Sequence, residues 1–140
     1  MLKEIAIIGA LLVSVSAGDK PAVPTAVRTV ISGGYWEQKD QSGIYRVVVV
    51  EEGFQHIWFR CFVEWVAHSN NPNEDDKVVA SKELKSPFAE GEEVTDFDVR
   101  LKSSDSGRAD ILVSGVRGFK PYKKVKAIFI ATLPGEIKSK

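Results

Sequence analysis

The chain has one cysteine, two histidines and no surplus of either charge: among 140 residues, Lys and Arg total 19 and Asp and Glu total 19. Each shortage excludes something. A single cysteine cannot close an internal disulfide or form a C-x-x-C pair, so Cys61 must be buried, reactive or bonded to another chain. Balanced charge provides no global field to draw the protein to nucleic acid or anionic lipid. No apolar run reaches the about 20 residues that span a bilayer, which argues against a membrane span. The G-x-S-x-G, H-E-x-x-H, phosphate-loop and dinucleotide motifs are missing, so the sequence assigns no catalytic residue, metal ligand or cofactor.

What is present starts with a leader. Lys3 opens the N-terminus, an apolar run follows from Ile5 to Val15, and Val15-Ser16-Ala17 puts small side chains at both positions that signal peptidase reads. Residues 1–17 are therefore expected to be a signal peptide and 18–140 one mature domain, exported to the periplasm or the extracellular space of a bacterium. No cysteine follows the run to carry a lipid anchor, and Gly18-Asp19-Lys20-Pro21 ends it abruptly. Removing the leader takes one base (Lys3) and one acid (Glu4), so the charge balance survives.

Beyond residue 24 the dominant period is two. In "VTDFDVRLK" (94–102), Phe97, Val99 and Leu101 alternate with Asp96, Asp98, Arg100 and Lys102, as in a strand with one dry face. "RADILVSGV" aligns Ala109, Ile111 and Val113, and "KVKAIFIAT" aligns Val125, Ala127, Phe129 and Ala131. With "TAVRTVIS" (25–32), "KVVASKELK" (77–85) and the two runs of residues 43–66, about seven strands are expected. Their spacing predicts an all-β, antiparallel β-sandwich of immunoglobulin-like character.

"GIYRVVVVEEGFQHIWFRCFVEWV" (43–66) reads as a hairpin about a three-residue loop, Glu51-Glu52-Gly53. That loop would pair Val50 with Phe54, Val47 with Ile57 and Tyr45 with Phe59. Tyr45, Val47, Val49, Cys61, Val63 and Trp65 then share an apolar face, and Cys61 is a buried hydrophobe rather than a nucleophile. His56 and His68 lie on the other face, about 40 Å apart along an extended strand, too far to share a metal. Trp58 and Phe62 also lie there, among Arg46, Arg60 and Glu64, with Arg46 expected opposite Trp58 and able to stack on it. Either another segment of the chain covers these aromatics, or Arg46, Trp58, Arg60 and Phe62 form a binding surface.

Two further features have bland readings beside functional ones. "NNPNEDD" (70–76) offers oxygen ligands but lacks the spacing and glycine of a calcium loop, so it reads as a connection between strands. In "RGFKPYKKVK" (117–126), Arg117, Lys120, Lys123 and Lys124 stand among Phe119 and Tyr122. Such a patch can hold anionic glycan, lipid head groups or nucleic acid; export argues against the last, and a solvated loop is the simpler reading.

Gly33-Gly34-Tyr35-Trp36, Tyr45-Arg46-Val47 and Gly53-Phe54 followed by His56 resemble a set of small secreted bacterial proteins of uncharacterised function, over about a quarter of the chain. The resemblance implies an envelope setting and carries no activity. The expected role is a non-enzymatic binding or accessory protein, such as a hydrolase inhibitor or an envelope-assembly subunit, whose partner is another protein or an envelope glycan. The alternative is a small hydrolase or glycan-binding enzyme whose site is assembled only in the fold.

Overall fold

The computed structural model describes residues 26–53, 57–85, 87–88, 93–105, 107–118 and 121–140, with side chains at all but 103–105. The expected signal peptide (1–17), His56 and Lys120 lie outside the described residues. Eight strands appear: β1 (Val27–Gln38), β2 (Gln41–Glu52), β3 (Trp58–Ala67), β4 (Lys77–Leu84), β5 (Val94–Asp105), β6 (Arg108–Arg117), β7 (Lys124–Ala131) and β8 (Ile137–Ser139). They form two antiparallel four-stranded sheets, β1-β2-β3-β4 and β5-β6-β7-β8. The all-β sandwich is as expected. Each sheet, however, is a simple meander, without the Greek-key connections that characterise immunoglobulin domains. No helix among the described residues is long and apolar enough to cross a membrane.

Alternation accounts for the core. Tyr45, Val47 and Val49 of β2 and Cys61, Val63 and Trp65 of β3 are buried, joined by Trp36 of β1 and Leu84 of β4. The other sheet supplies Val99, Ala109, Ile111, Val113, Phe129 and Ala131 to the same cluster. Ala109 and Ala131 of the second sheet share this cluster with two indoles and a phenol of the first, between sheets about 10 Å apart. Phe59 of β3 stacks on Phe97 of β5, ring centroids 4.3 Å apart, and carries the packing across the sandwich.

Buried polar atoms tie the sheets together. The Thr132 carbonyl, just past β7, accepts the Tyr45 hydroxyl at 2.9 Å and the Trp65 indole N–H at 2.9 Å. Burial pushes the Tyr45 phenol up to about 12. Trp36 donates its indole N–H to the Ile44 carbonyl at 3.0 Å. On one side of the sandwich the Gly107 N–H donates to the Tyr35 carbonyl at 2.6 Å, so the β1 and β5 edges meet. On the other side, a cleft of about 260 Å³ between β4 and β8 is lined by Leu84, Phe129 and Ile137.

The β2–β3 hairpin departs from expectation. Its register pairs Glu52 with Trp58, Val49 with Cys61, Val47 with Val63 and Tyr45 with Trp65, so five residues, 53–57, separate the paired strands. The expected pairing of Val47 with Ile57 and Tyr45 with Phe59 is displaced by six residues along β3. Six is even, so every side chain keeps its face; the period-two rule detects odd slips and is blind to even ones. Charge and aromatic contacts select between the even registers. A tight loop would have set Glu64 opposite Asp40, whereas here Glu64 faces Arg46. Tyr45 also meets Trp65 edge-on, with centroids 6.3 Å apart.

Gly53 still requires glycine, because its φ is 102°. Gly53→Val would force a β-branched side chain into that region, and we expect a loss of about 1–2 kcal/mol in thermal or urea denaturation. An unchanged melting temperature would mean that Gly53 abandons this conformation in solution.

Candidate functional site

The outward face of the first sheet is built from the positions that alternate with its core. Strand register sets Val30, Val48, Phe62 and Glu83 in one row across all four strands. The adjacent row is Ser32, Arg46, Glu64 and Ser81. Val50 stands beside Arg60, and Trp58 beside Glu52. Val30 is 50% exposed. Val48, Val50, Trp58 and Phe62 are half-buried, and none of them belongs to the core cluster.

All four residues expected to form a binding surface, Arg46, Trp58, Arg60 and Phe62, lie on this face, though not in the expected pairs. Arg46 is not opposite Trp58; its Nε donates to Glu64 Oε2 at 2.6 Å. The cation that covers an aromatic ring is Arg60, whose guanidinium carbon lies 5.0 Å from the Phe62 centroid. The six-residue displacement of β3 explains the new partner of Arg46; Arg60 and Phe62 are next-but-one residues of the same strand, so their contact does not depend on the register.

Arg60 organises the face. Its Nε and Nη2 donate to the two Glu83 oxygens at 2.7 and 2.8 Å, and its Nη1 donates to Glu52 at 3.1 Å. One guanidinium thus links β2, β3 and β4 through a fork that matches the carboxylate. Those bonds hold the Glu83 carboxyl below the usual carboxylate range and raise the Arg60 guanidinium further. Exposed pairs of this kind add little stability. Their consequence here is geometric: both arginines are engaged by carboxylates within the face, and Arg60 is held over Phe62. The Trp58 indole N–H, shielded from solvent, has no acceptor among the described residues.

The expected basic patch is partly visible. The Arg117 N–H donates to the Lys123 carbonyl at 3.0 Å, closing the β6–β7 connection, and Lys123 and Lys124 are exposed at its far end. This hairpin belongs to the second sheet and adds nothing to the face above.

Cys61 is 1% exposed, and burial, followed by the Glu83 charge, pushes its thiol up to about 12. A thiol so placed is protonated and inaccessible, the opposite of what a nucleophile needs. Among the described residues, no three His, Cys, Asp or Glu side chains are close enough to hold a metal ion.

One acid–base pair was not anticipated. His68 Nδ1 lies 3.0 Å from Asp76 Oδ2, across the connection between β3 and β4. The other Asp76 oxygen accepts the Ser69 N–H at 3.0 Å, and that bond, followed by His68, holds the Asp76 carboxyl below its ordinary range. The nearby hydroxyl, Ser69 Oγ, donates to the Asn71 carbonyl at 3.1 Å. The pair therefore clamps the loop that "NNPNEDD" forms and has no hydroxyl poised for attack. A histidine and an aspartate bracketing a polar, Pro-containing loop were the available signal. Comparison with protein-family models, curated proteins and solved structures finds no match to this chain.

Proposed function

We propose that this chain is an exported bacterial envelope protein that acts by binding another protein, without catalysis, through the outward face of its first sheet. The observation that carries the reading is the contiguous Val30–Val48–Phe62 row, flanked by Val50 and Trp58, which lies outside the core cluster and is partly exposed. A solvated sheet face normally alternates toward polar residues; an open apolar row beside aromatics and arginine has the composition of a protein interface.

The ion pairs favour a protein over an anionic glycan. Arg46 and Arg60 are already engaged by Glu64, Glu52 and Glu83, leaving neither guanidinium unpaired for sulfate or carboxylate. Pairs preformed in this way instead make an ordered rim around an apolar centre, which lowers the entropic cost of docking. Inhibition of a cell-wall hydrolase or membership of an envelope assembly would use such a surface. Export rests on the leader expected over residues 1–17, and the resemblance of the Gly33–His56 region to secreted bacterial proteins is in keeping with it.

The test is a double substitution, Trp58→Ala with Phe62→Ala, in the mature chain. Both side chains lie outside the core cluster, so the fold should persist, while binding to a partner captured from an envelope extract should weaken by at least about 100-fold, as loss of two central aromatics does. Titration calorimetry with that partner supplies the measurement, and a Lys123→Ala variant serves as a surface control. Equal affinity for the wild-type and the double variant would sink the proposal.

A further inference from the structure

The outward face of the second sheet has a different electrostatic design. A trough of about 410 Å³ crosses it, with Asp96 and Asp98 of β5 on one bank, Ser114 and Val116 of β6 along the floor, and Lys124 and Lys126 of β7 on the other bank. Register aligns these residues: Asp98 faces Ser114, Ser114 faces Lys126, and Val116 faces Lys124. Two interstrand steps separate the banks, about 10 Å between backbones. β5 bulges between Thr95 and Asp98, and Asp96 sits there with a φ of 50°, in the left-handed region.

Three of the four charges of this trough are unspent, in contrast to those of the first sheet. Asp98 accepts Arg100 Nε at 2.8 Å, with Arg100 itself largely exposed. Asp96, Lys124 and Lys126 form no side-chain hydrogen bond or ion pair with any described residue. Two carboxylates therefore face two ammonium groups across a floor one strand wide, with a hydroxyl and a valine between them. A simple anion entering the trough is attracted by one bank and repelled by the other, and so is a simple cation. A molecule carrying both charges satisfies both banks at once.

We infer that this trough is a binding site for a short zwitterion, with a primary ammonium at one end and a carboxylate or phosphate at the other. The ammonium lies between Asp96 and Asp98, the anionic group lies against Lys124 and Lys126, the connecting methylenes lie over Val116, and the Ser114 hydroxyl is placed for a polar group in the middle. A short peptide and a phosphoethanolamine head group both have this chemistry. The site is independent of the protein-binding face, being on the opposite sheet.

Backbone amide shifts of the isotope-labelled mature chain test this. The probes are glycylglycine, its N-acetyl derivative (which lacks the ammonium), its C-terminal amide (which lacks the carboxylate) and O-phosphoethanolamine. We expect saturable shifts at Asp96 and Ser114–Val116 with glycylglycine or O-phosphoethanolamine, and affinities at least about tenfold lower for both capped dipeptides. Whichever uncapped probe saturates first names the source, peptide or head group. Asp96→Asn and Lys124→Gln should each weaken that binding by about tenfold or more while the remaining shifts superimpose on the wild type. Equal saturation by the capped probes, indifference to both substitutions, or no saturable shift with any probe would overturn the assignment. The last result would mean that the lysines reach across β6 and close the trough with their own aspartates.

Discussion

Replacing Trp65 by alanine should lower stability by about 3–5 kcal/mol, the range for deleting a large aromatic from a packed interior. Trp65 is fully buried, meets Tyr45 edge-on and donates to the Thr132 carbonyl, so it holds β3 to the end of β7 as well as filling volume. Domains of this size are held by only about 5–15 kcal/mol, so the variant should melt roughly 10–20 °C below the wild type or fail to fold at 37 °C. The hydrogen bond is the smaller part. Trp65→Phe keeps much of the volume, and the Thr132 carbonyl still has the Tyr45 hydroxyl, so a loss nearer 1 kcal/mol is expected. Tyr45→Phe alone should behave similarly. Together the two phenylalanines leave a part-buried carbonyl without a donor, and the double variant should lose more than the sum of the singles. Strict additivity in denaturation would show that a water replaces the lost donors and that the latch carries no coupling.

The alternation of Ala109, Ile111 and Val113, and of Tyr45, Val47 and Val49, was legible because burial on one face of a strand writes a period of two directly into the chain. Cys61 could be assigned to the core for the same reason. Three things were not legible. The hairpin register was one, since even displacements leave that alternation intact. The sheet order was another: alternation says which face is dry, but not which strand lies beside which, and an immunoglobulin-like order and two meanders bury the same residues. The third was anything made by backbone atoms or by three strands at once. The Thr132 carbonyl has no signature in side-chain chemistry, and Asp98, Ser114 and Lys126 form a row only once β5, β6 and β7 are adjacent. The proposed binding face was half legible. Membership of Arg46, Trp58, Arg60 and Phe62 followed from parity, while their partners Glu64, Glu52 and Glu83 depended on register.

Gly43→Ala is the smallest change expected to have a large effect. In a strand, exchanging glycine for alanine ordinarily stabilises by up to about 1 kcal/mol, because the unfolded chain loses freedom. At Gly43 the sign should invert. A β-carbon there would stand 1.8 Å from the Val66 carbonyl oxygen, 2.7 Å from its carbon and 2.9 Å from the Ala67 α-carbon, all of them main-chain atoms of the neighbouring strand. No rotamer can relieve that clash, so β2 and β3 must separate. Neither is free to do so: Gly43 pairs with Ala67 on one side and Trp36 on the other, and the next inward residue, Tyr45, is fully buried. The adjoining His68 N–H to Ser42 carbonyl bond, 2.8 Å long, would be strained by the same movement. Overpacking against a rigid neighbour costs typically about 1–3 kcal/mol, and with the backbone itself as the obstacle the upper end, about 3 kcal/mol, is the expected loss. Urea denaturation followed by tryptophan fluorescence checks it, with Trp36 and Trp65 reporting on this end of the sheet. A midpoint equal to or above that of the wild type would show that the strands part without cost, and that the close approach of Gly43 to Val66 does not hold the register of the hairpin.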